Sequence, residues 1–136
     1  MDSSWSQTSF LVVDDDEFAC EVLTGVLRHL GASRVTSASD GESALRLANQ
    51  LRPDFVLLDI YMPQDDGWTL LGQLRRALPN AAIIMVTGSG MQADFLKSMD
   101  EHADGFCIKP VSSEIMNKAL LSAQRRRQQG SSRVAH

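Results

Sequence analysis

Strand-like segments alternate with amphipathic segments along this chain, and the alternation repeats five times. Four of the strand-like segments are apolar runs, at residues 9–13, 55–58, 81–86 and 105–108, and a weaker strand centred on Val35 covers about residues 33–37. Continuous apolar runs of this length are typical of strands in a parallel sheet that is covered on both faces. Right-handed crossovers between such strands place helices on both sides of the sheet. We therefore predict an α/β fold, a doubly wound flavodoxin-like (βα)5 sandwich with a parallel five-stranded sheet of order 2-1-3-4-5.

Residues suited to begin or end a helix lie between the runs. Asp16 and Ser112 are suited to cap the first and last helices, and Gly31 is suited to end the first. Pro53 and Pro79 close the second and third helices, because proline cannot continue a helix. The predicted helices cover about residues 17–30, 40–51, 68–78, 91–99 and 113–123.

Helical spacing also predicts which residues of each helix face the core. The residues predicted to be buried on the first helix are Phe18, Val22, Leu23, Val26, Leu27 and Leu30. Those predicted on the fourth helix, where the pattern is thinner, are Met91, Phe95, Leu96 and Met99. The segment Gly88-Ser89-Gly90 before this helix is expected to be a flexible turn.

The length and composition fit one globular domain with one core. The chain has 136 residues, of which 43% are hydrophobic and 22% are charged. We interpret residues 9–123 as the domain and residues 1–8 as a disordered N-terminal tail. Residues 124–136, which include three consecutive arginines, are expected to form a flexible C-terminal tail or the start of a linker.

Charge and hydropathy argue against several classes of function. A net charge of −4 and a pI near 5.2 are unlike those of proteins built to bind nucleic acid or anionic membranes. No apolar stretch approaches the roughly 20 residues of a membrane span. The N-terminus lacks the basic region and apolar core of a signal peptide, so we expect a cytoplasmic location. Cys20 and Cys107 are expected to be reduced core thiols.

Four of the five predicted strands, the four apolar ones, each end at a reactive or ionisable residue. Asp14 and Asp15 follow the first strand, Asp59 follows the third, Thr87 the fourth and Lys109 the fifth. In a parallel sheet these side chains emerge at one edge, and the ligand crevice of this fold lies there, between strands 1 and 3. The sequence therefore predicts one site that holds several carboxylates, a hydroxyl and an ammonium.

The chemistry of this site follows from the residue types. Carboxylates as close as Asp14, Asp15 and Asp59 raise one another's pKa unless a cation neutralises them, which predicts Mg²⁺ or Mn²⁺. A carboxylate such as Asp59 can attack phosphorus and form an acyl phosphate. Lys109 and Thr87 are suited to neutralise and bind the phosphoryl oxygens. Asp16 is better interpreted as the helix cap.

The chain resembles the receiver domain of bacterial two-component response regulators, including the chemotaxis regulators. The matching segments are FLVVDDDEF (10–18), PDFVLLDIYMPQDDGW (53–68), IIMVTGSG (83–90) and ADGFCIKPV (103–111). They span most of residues 9–123, and their order and spacing are far more specific than any one of them. The same sheet order is implied by the resemblance as by the strand pattern. His102 stands where the family commonly has glycine, so the turn into the last strand is expected to differ.

The resemblance implies a role for each residue of the site. Asp59 matches the phosphoacceptor, and Asp14 and Asp15 match the acidic pair that holds Mg²⁺, with the backbone carbonyl of Tyr61 as a further metal ligand. Thr87 and Lys109 match the residues that contact the phosphoryl group, and Phe106 matches the aromatic residue that switches with Thr87. The Lys109–Pro110 peptide bond resembles one that is cis in this family.

The resemblance also implies partners. A sensor histidine kinase or a histidine phosphotransfer protein is expected to donate the phosphoryl group to Asp59. Phosphorylation is then expected to give Thr87 and Lys109 a partner that they lack in the resting state. The surface formed by the fourth helix, fifth strand and last helix would change, for a downstream protein, an output domain or a phosphorylation-dependent homodimer. The domain itself is expected to bind neither nucleic acid nor membrane, and to act as a switch rather than as a turnover enzyme.

Three alternatives stay open from the residues alone. The chain could be the N-terminal receiver of a longer regulator with a DNA-binding or enzymatic output domain. It could be a flavin- or nucleotide-binding module, although three aspartates after the first strand repel phosphate without a metal. It could be a metal-dependent phosphohydrolase, which would release phosphate through many turnovers, whereas a receiver phosphorylates itself and stops.

Overall fold

Strands and helices alternate along the computed structural model, which describes residues 5–88 and 92–134. The strands of the main sheet are β1 (Ser9–Val13), β2 (Arg34–Ala38), β3 (Phe55–Leu58), β6 (Ala82–Thr87) and β7 (Gly105–Ile108). A hairpin follows β3 and consists of β4 (Tyr61–Met62) and β5 (Asp65–Asp66). The helices are α1 (Glu17–His29), α2 (Gly41–Leu51), α3 (Gly67–Ala77), α4 (Gln92–Asp100) and α5 (Ser113–Val134).

The main sheet is parallel and has the order β2-β1-β3-β6-β7. This is the predicted 2-1-3-4-5 topology, because β6 and β7 are the fourth and fifth strands of the main sheet once the hairpin strands β4 and β5 are left out. Helices α1 and α5 cover one face of the sheet, and α2 and α3 cover the other. Every residue of β3 and β6 is buried, as expected for strands with helices on both sides. The predicted fold class is confirmed.

The segment between β3 and α3, which was predicted to be a loop, contains the short hairpin. Tyr61 pairs with Asp66 in an antiparallel register. Gly67 is required where the hairpin closes, because a Cβ atom at this position would lie 2.3 Å from the carbonyl oxygen of Ile60. The hairpin fixes the backbone of the segment that directly follows Asp59.

The N-terminal segment is packed against the domain, so the prediction of a disordered tail is wrong for residues 5–8. Trp5 is 3% exposed and its ring meets those of Phe10 and Phe55 edge to face. Its indole Nε1 donates to the side-chain oxygen of Asn117 on α5 at 2.9 Å. A buried aromatic ring with a satisfied N–H stabilises a segment that otherwise has little apolar character. Residues 1–4 lie outside the described residues.

The last helix continues past the predicted domain boundary at residue 123 and ends at Val134. The predicted flexible tail is therefore helical over residues 124–134. Arg127 fastens this extension, since its guanidinium lies 3.4 Å from a carboxylate oxygen of Asp104 and donates to the carbonyl of Pro79. Asp104 is 6% exposed, so the contact is made within the fold rather than on an open surface.

The predicted inner faces of α1 and α4 are partly wrong. Phe18 and Val22 are 70% and 40% exposed, and Cys20 occupies the buried face of α1 together with the correctly predicted Leu23 and Leu27. Helix α4 turns two polar residues inward and two of its apolar residues outward, whereas the predicted Met99 is partly buried against the core. Its buried residues include Asp94 and Ser98, its exposed ones Phe95 and Leu96, and Met91 lies outside the described residues. The buried side chains of Asp94 and Ser98 both have hydrogen-bond partners, which buried polar groups need.

None of the helices in residues 5–88 and 92–134 combines the length and the apolar character that crossing a bilayer requires.

Candidate functional site

The register of the strands brings the predicted site residues to one edge of the sheet. Val13 pairs with Leu58, so the residues that follow them, Asp14 and Asp59, lie side by side. The backbone N–H of Asp59 donates to the carbonyl of Val13 at 2.9 Å. On the other side of β3, the N–H of Lys109 donates to the carbonyl of Thr87 at 2.7 Å. The four strand ends therefore meet as the sequence predicts.

Asp14, Asp15 and Asp59 form an acid cluster. Each offers a carboxylate oxygen, and these atoms lie within 4.8 Å of one another. Asp14 and Asp59 are 1% and 7% exposed, whereas Asp15 is exposed to solvent. Asp14 also accepts the N–H of Asp16 at 2.9 Å, and Asp16 caps α1 by accepting the N–H of Phe18, as predicted. Two buried carboxylates and one exposed carboxylate thus share a small volume.

Lys109 provides positive charge to the acid cluster. Its Nζ lies 2.5 Å from Oδ2 of Asp14 and 3.8 Å from Oδ2 of Asp59. Burial disfavours the ammonium, yet the hydrogen bond to Asp14 and the charge of Asp59 raise the pKa of Lys109 above its usual value. The expectation that Lys109 lacks a partner in the resting state is wrong, since it is already paired with Asp14.

One lysine does not neutralise three carboxylates. Burial and the charge of Asp14 raise the pKa of Asp59 to about 6, although Lys109 and a hydrogen bond from the backbone of Tyr61 act in the opposite direction. The donor set consists of hard oxygen ligands with excess negative charge, which fits Mg²⁺ or Mn²⁺. The carbonyl of Tyr61 stays a predicted further ligand.

The remaining predicted residues lie at the end of β6, within β7 and directly after β7. Thr87 ends β6 and is 1% exposed. The Lys109–Pro110 peptide bond is cis, as the resemblance implies. Phe106 on β7 is half-buried, and its ring meets that of Phe95 on α4 edge to face with centroids 5.7 Å apart. Of the predicted turn 88–90, Gly88 is exposed and residues 89–90 lie outside the described residues, so a role for their amides stays a prediction.

Two contacts near the site were not predicted from the sequence. The thiol of Cys20 donates to the backbone carbonyl of Asp14 at 3.3 Å, and burial raises the pKa of this thiol to about 11. The hydroxyl of Tyr61 lies 2.8 and 2.9 Å from the two carboxylate oxygens of Asp94, which raises the pKa of the phenol. The spacing of Asp94 and Ser98 on one side of α4 was a signal for a polar inner face.

A family model and two curated relatives all match most of this chain. A family model for the response regulator receiver domain matches residues 10–121. The chain is 30% identical over 113 residues to the chemotaxis protein CheY of Listeria monocytogenes, which covers 83% of this chain and 95% of that protein. It is 40% identical over 117 residues to the positive alginate biosynthesis regulatory protein of Pseudomonas aeruginosa, which covers 85% of this chain and 46% of that protein.

A solved structure adds to this similarity. The chain matches a response regulator protein from Burkholderia pseudomallei, described with a phosphorylated aspartic acid, a calcium ion and citrate, with a TM-score of 0.76 and 29% identity. The match covers 91% of this chain and 73% of that one. The chain spans about half the length of several curated relatives, between 45% and 52%.

Proposed function

The chain belongs to the response regulator receiver family, whose members are signalling switches of two-component systems, and we propose that Asp59 is its phosphoacceptor. The observation that carries this proposal is the position of the Asp59 carboxylate. It is 7% exposed, lies in the acid cluster with Asp14 and Asp15, and has the ammonium of Lys109 at 3.8 Å. An acceptor for a phosphoryl group needs a nucleophilic oxygen surrounded by groups that neutralise charge.

The proposed reaction transfers a phosphoryl group from a phosphohistidine of a sensor kinase or histidine phosphotransfer protein. A carboxylate oxygen of Asp59 forms a bond to phosphorus while the bond from phosphorus to the imidazole nitrogen breaks. The electron pair of the broken bond stays on the imidazole, and Asp59 becomes an acyl phosphate. Water later hydrolyses the acyl phosphate and returns the carboxylate. Mg²⁺ or Mn²⁺ held by Asp14, Asp15 and Asp59 would supply the positive charge that one lysine does not.

The ionisation of Asp59 favours a cation-dependent reaction. Only the carboxylate form is a nucleophile, and a pKa raised to about 6 withdraws part of that form near neutral pH. Positive charge in the acid cluster lowers this pKa and restores the carboxylate. Lys109 then has two tasks, since it pairs with Asp14 before the transfer and is near enough to Asp59 to meet the phosphoryl oxygens after it.

The readout is proposed to depend on Thr87 and Phe106. A phosphoryl group on Asp59 adds about −1.5 to −2 charges and three acceptor oxygens at neutral pH. Movement of Thr87 toward these oxygens would open space for Phe106 to pack inward. Because Phe106 packs on Phe95, this movement would change the surface formed by α4, β7 and α5. A downstream protein, an output domain or a second copy of the chain is proposed to read that surface.

The first test is intact-mass analysis after incubation with Mg²⁺ and a small acyl phosphate donor. We expect the wild-type chain to gain one phosphoryl group and Asp59→Asn to gain none. Asp100→Asn serves as the matched control, because it makes the same change at an exposed aspartate of α4. Incorporation of phosphate by Asp59→Asn, or none by the wild type, would contradict the assignment. Steady-state release of phosphate over many turnovers would instead favour a phosphohydrolase.

A second test separates phosphorylation from the switch. Lys109→Ala is expected to keep Mg²⁺ binding, because the acid cluster is intact, and to lose the phosphorylation-dependent change. Titration calorimetry measures the first property, and hydrogen exchange across α4, β7 and α5 measures the second. The exposed Lys118 on α5 supplies the control variant, Lys118→Ala. A normal exchange response in phosphorylated Lys109→Ala would show that this lysine is not part of the readout.

A longer regulator is the second candidate, and the lengths of the relatives support it. The chain spans less than half of the alginate regulatory protein that it matches. We therefore propose as an alternative that the receiver is joined to a DNA-binding or enzymatic output domain, which the length of the full gene would test. A cytoplasmic location, where a kinase domain could reach it, stays a prediction that fractionation would check.

A further inference from the structure

Tyr61 and Asp94 join the segment after the phosphoacceptor to α4. The phenol oxygen lies 2.8 Å from Oδ1 and 2.9 Å from Oδ2 of Asp94, so the hydroxyl donates into the carboxylate with both oxygens in range. Asp94 is 8% exposed and lies in the first turn of α4. Tyr61 is 57% exposed, so most of its ring faces solvent while its hydroxyl is held by the helix. Hydrogen bonds to an ionised carboxylate are among the stronger ones in proteins.

Both ends of this contact are connected to the site. The backbone of Tyr61 hydrogen-bonds the carboxylate of Asp59. Asp94 is reached from Thr87 through residues 88–91 and the start of α4 at Gln92. A movement of Thr87 toward a phosphoryl group would therefore move the backbone that carries Asp94, while Tyr61 remains attached to the acceptor segment.

Two further contacts involve the polar residues of α4, one within the helix and one to α3. The hydroxyl of Ser98 donates to the backbone carbonyl of Asp94 at 2.8 Å and is fully buried. The ammonium of Lys97 lies 4.8 Å from the centre of the Trp68 ring at the start of α3. The polar inner face of α4 thus explains why its apolar residues Phe95 and Leu96 are exposed. Polar contacts with Tyr61 and Trp68 therefore hold α4 together with the apolar packing of Met99 against the core.

We propose that the Tyr61–Asp94 hydrogen bond is a latch that favours the resting position of α4 and so opposes activation. Asp94 is then a positioning residue that acts through Tyr61. This inference rests on the proposed function, because the movement that the latch opposes is the one that follows phosphorylation of Asp59. A hydrogen bond that is either made or broken gives α4 two discrete arrangements, which a latch requires.

The test compares rates of phosphorylation by a small acyl phosphate donor in the presence of Mg²⁺. Tyr61→Phe removes only the hydroxyl, and Asp94→Leu removes the acceptor while keeping the same number and branching of side-chain heavy atoms. Each is expected to phosphorylate about tenfold faster than wild type, the value of one charge-assisted hydrogen bond that is lost from the resting state alone. The double variant is expected to match the faster single variant, because both remove the same contact. An unchanged or lower rate in either single variant overturns the latch. So does a double variant whose fold-increase in rate equals the product of the two single fold-increases.

Matched variants separate the latch from a general effect of charge or packing. Asp100→Leu makes the same change at an exposed aspartate of α4 and is expected to leave the rate unchanged. Asp94→Asn keeps an oxygen that accepts the phenol hydrogen bond, so it should raise the rate less than Asp94→Leu does. Equal acceleration by Asp100→Leu would mean that charge on α4, and not the contact with Tyr61, is responsible.

A spectroscopic measurement observes the latch directly. Tyr61 is the only tyrosine of the chain, so ¹³Cζ-labelled tyrosine gives one NMR signal. This signal should move toward that of free tyrosine in Asp94→Leu but not in Asp100→Leu. Asp59→Asn, which has no phosphoacceptor, should keep the wild-type signal. If the Tyr61 signal responds to Asp94→Leu as expected but the wild type is never phosphorylated, the proposed function alone is contradicted. If the Tyr61 signal is the same in Asp94→Leu as in the wild type, the latch alone is contradicted.

Discussion

The two ends of the central sheet both contain buried charge, but they balance it in opposite ways. At the carboxyl ends of the strands, the acid cluster of Asp14, Asp15 and Asp59 has Lys109 as its cation. At the amino ends, an arginine clamp formed by Arg75, Asp104 and Arg127 places two guanidinium groups on one carboxylate. One end therefore has too much negative charge, and the other has its carboxylate fully paired.

The surroundings of the two sites strengthen this difference. Asp104 also accepts the backbone N–H of Ile83 at 2.9 Å, and Arg75 donates to the carbonyls of Ala81 and His102. The arginine clamp thus joins α3, β6, α5 and the residue before β7, and the Nε atoms of Arg75 and Arg127 are its buried groups without a hydrogen-bond partner. In the acid cluster, burial and repulsion raise the pKa of Asp59 to about 6. We expect the arginine clamp to stabilise the fold and the acid cluster, where the proposed phosphorylation would add charge, to oppose the ionisation of Asp59.

The largest expected effect is at the arginine clamp. Asp104→Ala should lower the free energy of unfolding by about 3–5 kcal/mol, because it leaves two partly buried guanidinium groups without their carboxylate. Denaturant unfolding measures the change, with Asp100→Ala as the control at an exposed position. A loss smaller than that of the control would mean that the clamp does not hold the fold, and the contrast between the two ends would disappear.

Removal of a carboxylate from the acid cluster, at the opposite end of the sheet, should raise the free energy of unfolding instead of lowering it. Asp59→Asn should raise the free energy of unfolding by about 2 kcal/mol at pH 8 without divalent cations, since the folded state disfavours this ionised group. A raised carboxyl pKa means that the folded state binds the proton more tightly. Stability of the wild type should therefore fall as pH rises from about 4 through 6, and the two proteins should converge at pH 4.

Denaturant unfolding of both proteins across this pH range measures that difference. Mg²⁺ should reduce the difference, because it binds the complete acid cluster more tightly than a cluster without the Asp59 carboxylate. A destabilised Asp59→Asn at pH 8 would show that the acid cluster contributes to folding stability, as the clamp does.

The smallest expected effect concerns the backbone beside the clamp. His102 has a φ of 71°, the left-handed conformation that glycine adopts without a Cβ clash. His102→Gly should raise the free energy of unfolding by about 0.5–1 kcal/mol, since the carbonyl that Arg75 contacts is kept. His29→Gly, at the end of α1, should lower it by about as much. Thermal unfolding of both variants checks the signs, and destabilisation by His102→Gly would mean that the turn needs the imidazole.

The fold and the acid cluster could be predicted because both follow from local pattern. Continuous apolar strands determine the two-sided sheet, and the first polar residue after each strand must emerge at its carboxyl end. The sequence also singles out His102 as unusual for its position, and its positive φ explains why glycine suits that turn. Asp59, Thr87 and Lys109 meet where the strand order places them.

The contacts that were missed depend on how elements are rotated and docked. Trp5 lies among polar neighbours without any period, so its burial depends on a pocket made by residues far along the chain. Arg127 reads as one of three exposed arginines until Asp104 is known to lie beneath it. The pairing of Tyr61 with Asp94 requires the polar side of α4 to face inward, against the usual preference.

The Trp68 ring beneath Lys97 allows the position of α4 to be followed by tryptophan fluorescence. Of the two tryptophans, Trp5 is buried near the amino ends of the strands and Trp68 lies where α3 meets α4. Indole emission responds to a nearby ammonium, so displacement of Lys97 should change the emission of Trp68 and leave that of Trp5 constant. Trp5→Phe would isolate the responsive indole, and the chain would then report the state of its own helix in real time without an attached dye.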